Sequence, residues 1–210
     1  MKPGIIAFLI LSLWAKNNFA QLFEGEIIYK NSYKSKVSSF SDAQWKSIVG
    51  SQNLYFIKGG NYKSELNGSV VAAYTYLAKD NMLYTELRDG NIMYWSDASE
   101  SKDSIISFEV RKNAVHILGY NCDELILHTK KGTQTYDYAP LLTADPLLYV
   151  NHRFGNWNEY LKIAGALPLR MEVEEDQVII ISEAAAVIPS KLGDDFFVLP
   201  PDVKMIKSPY

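Results

Sequence analysis

The stretch VVAAYTYLAKDNMLYTELRDGNIMYW, Val70 to Trp95, decides the fold. It holds three runs rich in Tyr, Leu, Val and Thr, separated by Lys79-Asp80-Asn81 and by Asp89-Gly90. Asp-Gly flanked by strand formers is a two-residue hairpin signal. Arg88 is therefore expected to pair with Asn91, Leu87 with Ile92 and Tyr84 with Trp95. A three-residue loop at Lys79-Asp80-Asn81 would set Leu77 against Leu83 and Tyr76 against Tyr84. A two-residue loop there would mix the faces. On this count one face carries Ala73, Leu77, Leu83, Leu87 and Ile92. The other carries Tyr76, Tyr84 and Trp95 in a row, flanked by Met82 and Met93.

Outward from this stretch the same punctuation recurs: Gly59-Gly60-Asn61, Asn67-Gly68, Lys131-Gly132 and Glu175-Asp176. The runs between these turns predict further strands near 24–33, 53–58, 62–66, 105–110, 123–129, 133–138, 167–173 and 178–187. The short spacing argues for hairpin-connected antiparallel strands and against parallel units with crossover helices. The predicted class is mainly β with a few helices: a strongly curved antiparallel sheet, a half-open barrel. Two segments depart from the pattern. Ser41 to Val49 starts with Ser, carries Gln44 three residues on and meets Gly50, a capping box with a stop. Trp45, Ile48 and Val49 would form its apolar face. Asp145-Pro146 starts a second helical region, which resumes from Asn156 to Ile163 and ends at Gly165. Ser96 to Ser104 reads as a polar loop.

Residues 1–20 read as a secretory leader. Lys2 supplies a positive start, Ile5 to Ala15 is an apolar run too short for a bilayer, and Ala20 precedes Gln21. The expectation is an exported protein, periplasmic or at the cell surface, cleaved after Ala20, with residues 21–210 as one domain. Of the 210 residues, nineteen basic ones then remain against 24 acidic ones. That balance argues against nucleic-acid binding, which needs clustered cations. No later apolar run is long enough for a transmembrane span in the mature chain. A lone Cys122 leaves no intramolecular disulfide.

Catalytic motifs are not evident. Cys122 has His116 and His128 six residues away on either side; the competing role is a small buried residue at a strand start. The three histidines lack metal-ligand spacing. His152, Asp145 and Ser182 could be drawn as a triad, but there is no nucleophile elbow. No cofactor is indicated. Fourteen tyrosines are many for this length. They suit strands in general, and they also suit a cavity lining or contact surface. The aromatic and apolar contact candidates are Trp45, Ile48, Tyr76, Tyr84 and Trp95.

The order of parts resembles a family of exported bacterial proteins of unknown function, common in the Bacteroidetes. The resemblance rests on Phe23-Glu24-Gly25-Glu26-Ile27-Ile28-Tyr29 after the leader, Gly119-Tyr120-Asn121-Cys122 mid-chain, Ala166-Leu167-Pro168-Leu169 before a late strand, and Phe196-Phe197-Val198-Leu199-Pro200 closing the fold. That family is distantly similar to the periplasmic lipoprotein carrier and its outer-membrane receptor. The resemblance implies helices lying in the concave side of the sheet, where the carriers accept acyl chains. It implies no transferable catalytic residues. The expected function is non-catalytic binding of an apolar ligand, such as an acyl chain, lipid or lipoprotein moiety, with an envelope protein as a possible partner. The alternatives are an envelope protein whose core is filled by its own side chains, and a hydrolase acting on an envelope component.

Overall fold

The structure, a computed structural model, describes residues 21–209 apart from 89, 91 and 102. The leader expected at residues 1–20 therefore lies outside the described residues. Twelve strands form one sheet: β1 (Gly25–Ser35), β2 (Gln52–Lys58), β3 (Asn61–Leu66), β4 (Val71–Leu77), β5 (Met82–Leu87), β6 (Ile92–Asp97), β7 (Ile105–Ile117), β8 (Tyr120–Thr129), β9 (Thr133–Thr143), β10 (Ala166–Glu174), β11 (Val178–Pro189) and β12 (Lys204–Lys207). Their order across the sheet is β12-β6-β5-β4-β3-β2-β1-β11-β10-β9-β8-β7. All neighbours are antiparallel except β12, which runs parallel to β6. The ends, β12 and β7, do not meet, so the sheet is curved and open.

The curvature follows from the contacts of one helix. A 3-10 turn at Pro146–Tyr149, another at Phe154–Asn156 and helix α2 (Trp157–Ala164) form a continuous plug. Trp157 meets Tyr62 of β3 edge-on at 6.4 Å, while Tyr160 meets Tyr136 of β9 at 4.4 Å. Those strands are five positions apart, roughly 24 Å on a flat sheet. Yet the rings of Trp157 and Tyr160 stack at 5.1 Å. The sheet wraps around the plug and presents to it a face of Ile27, Tyr29, Tyr55, Ile57, Leu125 and Leu127, all buried. Helix α1 (Asp42–Val49) has the expected capping box at Ser41 and Gln44. It lies at strand ends against β1, where Ser69 and Val70 donate to the Ser47 and Ile48 carbonyls. None of its residues is fully buried.

The register across Asp89-Gly90 is the expected one: Tyr84 pairs with Trp95 and Glu86 with Met93. The preceding loop is not. Leu77 pairs with Met82, Tyr76 with Leu83 and Thr75 with Tyr84. The loop takes four residues, because Ala78 donates its N–H to the Asn61 side chain instead of to the ladder. Tyr76 consequently joins Leu83 on the plug face, and the row of Tyr76, Tyr84 and Trp95 does not exist. Ala73 and Leu77 share the outer face with Tyr84 and Trp95. The C-terminal segment also differs. Phe196 to Pro200 does not close the fold. Phe196 packs against Phe56 with ring centres 4.7 Å apart and planes tilted by 55° on the outer face, and the chain continues to β12, where Lys207 lies over Trp95.

Candidate functional site

The deepest part of the concave side is an aromatic cluster. His152, between the two 3-10 turns, lies 4.2 Å from the ring of Tyr76 and 5.7 Å from that of Tyr62. Its Nε2 is 2.8 Å from the Tyr62 hydroxyl. The ring is 1% exposed, and burial depresses its pKa to about 4. The Tyr149 hydroxyl donates to the Gly59 carbonyl, and that of Tyr160 donates to the Ala166 carbonyl. Burial pushes the phenols of Tyr29, Tyr55, Tyr62 and Tyr160 upward, so they remain protonated. Three buried polar atoms here lack a hydrogen-bond partner among the described residues: His152 Nδ1, Tyr55 Oη and Trp157 Nε1. Each such atom costs about 1–3 kcal/mol in the closed arrangement.

Beside the plug the concave face is open. A cleft of about 520 Å³ lies between α2 and the free edge formed by β7. Its floor is Ile105, Phe108 and Ile163. Phe108 pairs with Leu127, and Val110 with Leu125, which places both on the plug face of the sheet. Phe108 is 55% exposed, a high value for a large apolar side chain on a concave surface. The rim is polar: Asp103, Arg153, Asn158 and Glu159, with Asn156 deeper. Gly155 and Asn156 both adopt left-handed backbone angles, φ 62° and 61°. This reversal starts α2 and turns the Asn156 amide inward to donate to Gln134 Oε1. Arg153 and Phe154 donate their N–H groups to the Ala98 carbonyl at 2.7 and 3.0 Å, which ties the plug to the loop after β6. That loop is not simply polar surface: Ala98 is fully buried.

Of the contact residues expected from sequence, the structure brings only Tyr76 to this region. Trp45 and Ile48 sit on α1, away from the cleft, and Tyr84 and Trp95 lie on the outer face. Cys122 is buried with its thiol facing the Tyr120 carbonyl, and burial raises its pKa. His116 bonds Asn121, and His128 lies 3.6 Å from Glu109. Ser182 bonds Asn31, Asp145 caps Leu147, and His152 meets Tyr62, so the drawn triad is not assembled. Sequence reasoning missed Phe108, Arg153, Asn156 and Asn158. The alternation of Ile106, Phe108 and Val110 was visible, but nothing local marks it as facing a helix fifty residues on.

No family model matches the chain, and no curated protein does. A solved structure of PNGF-II in space group C2 is similar to it with 13% identity and a TM-score of 0.45. The likeness covers 87% of this chain and 31% of that one.

Proposed function

We propose that the protein is a binding protein that holds an apolar chain in the cleft between β7 and α2. The observation that carries this reading is the exposure of Phe108, on the concave face, over a hollow of about 520 Å³. That size is within the range of small-ligand sites, and an apolar floor with a few polar rim groups is their usual composition. The plug fills the rest of the concave side with its own aromatics, so the ligand occupies the outer cleft. The role is non-catalytic: binding needs only the floor and rim. Export to the periplasm or surface, which rests on residues 1–20, would place the cleft where acyl chains and lipoproteins are cargo.

The test is displacement of a neutral fluorescent naphthylamine probe from the purified protein. Native protein should enhance its emission, and Phe108→Asp should abolish most of that gain while leaving the circular dichroism spectrum unchanged. Equal enhancement by both proteins would refute the site. A second reading has its own support in the burial of Tyr160 and Leu161 of the plug and of Tyr29 on the sheet facing it: an envelope protein filled by its own core. Under it, organic extraction of protein from the native host yields no lipid by mass spectrometry.

A further inference from the structure

We infer that the ligand of this cleft is a single-chain amphiphile with an anionic head, and that the Arg153 guanidinium receives that head. The inference rests on the binding reading above and adds the chemistry of the head group.

The argument is a comparison of three charged rim residues. The Glu159 carboxylate is met at 2.7 Å by Lys162 Nζ and accepts from the Asn158 amide. The Asp103 carboxylate accepts the backbone N–H groups of Ser104 and Lys131, at 2.8 and 3.3 Å. Both negative charges are already engaged within the protein. Arg153 is different. Among the described residues, no ion pair uses its guanidinium and no side chain or backbone group forms a hydrogen bond with it. Its backbone is nevertheless fixed by the Ala98 carbonyl, so the cation projects from a set point on the rim.

A planar guanidinium offers five donors in a fork that fits a carboxylate or phosphate. This fork lines the same cleft as the floor of Ile105, Phe108 and Ile163. A small inorganic anion would leave that floor wet. A neutral apolar molecule would leave the arginine unmet, and a cation would compete with Lys162 for Glu159. Only a molecule with both an apolar chain and an anionic end satisfies the two halves together. Bulk attraction is not the cause, since the chain carries a formal charge of −3. The selectivity is local.

Calorimetric titration of the purified protein at pH 8, below micelle concentrations, tests this with hexadecanoate, hexadecyl phosphate, hexadecanol and acetate. Native protein should bind hexadecanoate or hexadecyl phosphate roughly tenfold tighter than hexadecanol, and acetate not measurably. The tighter of the two anions identifies the head. Arg153→Gln should erase the preference by lowering anion affinity to that for hexadecanol, whereas Arg153→Lys, which keeps the charge without the fork, should retain part of it. Equal affinity of native protein for the alcohol and the anions would overturn the inference while leaving the cleft as a chain-binding site. So would an Arg153→Gln variant that weakens alcohol and anions alike. If native protein binds none of the three chains, the binding reading itself fails and takes the inference with it.

Discussion

His152 shows how one side chain can make stability depend on pH. Its folded-state pKa of about 4 lies below the ordinary 6.5, because the buried imidazolium is disfavoured. The unfolded chain therefore binds a proton that the folded chain refuses. Stability contributed by the neutral ring is complete above pH 6.5 and is lost as pH falls through the window from 6.5 to about 4. The loss is up to about 3 kcal/mol. Urea midpoints at pH 7 and pH 5 should show it, and His152→Phe should flatten the dependence. A flat native profile would contradict the neutral buried ring. Tyr62→Phe removes the hydrogen-bond partner of His152 Nε2 and should cost about 1–3 kcal/mol at pH 7. At Cys122, burial and a raised pKa predict no modification by a thiol reagent under native conditions. Fast labelling would show that β8 opens. Of these residues, only Cys122 was read from sequence as buried. The setting of His152 depends on Tyr62 and Tyr76, some eighty residues earlier, and no local pattern carries that information.

Among the elements, hairpins were legible where turn chemistry is local. The β5–β6 register is the one expected from the Asp-Gly signal, and Leu118-Gly119, with φ of 50° and 84°, makes the tight turn that joins β7 to β8. The β4–β5 loop was misread because Asn61, on another strand, decides where it starts. Asn61→Ala should cost about 1 kcal/mol by stranding the Ala78 N–H, measured by denaturant unfolding. Strand β12 escaped notice because it is four residues long and pairs in parallel with β6, a contact with no turn to announce it. Helix α1 shows the reverse case. Its caps were legible, but its burial was not. Trp45 packs edge-on against Phe40 at 4.7 Å and remains half-exposed. Trp45→Ala should therefore cost about 1–2 kcal/mol, below the 3–5 kcal/mol of a core tryptophan. A loss above 3 kcal/mol would mean that α1 is integral to the core.

At the scale of the whole molecule, the sheet has two arms joined at one seam. Strands β2 to β6 extend from β1 on one side, and β10 to β7 extend from β11 on the other. At the seam Ile27 is fully buried, and the Tyr29 hydroxyl donates to the Pro168 carbonyl. Ile27→Ala should lower stability by about 3 kcal/mol, read from thermal unfolding. The seam has a consequence in time. Each arm is built from neighbouring hairpins and can form as soon as it is synthesised. The seam cannot, because Asn31 waits for Ser182, 151 residues later. Until β11 exists, the first strand made is the one left with an open backbone edge. Long-range closure of this kind is slow, and an unpaired edge is an invitation to pair with the wrong chain. Whatever guards the nascent protein must shield Gly25 to Ser35 until Val178 to Pro189 has been made.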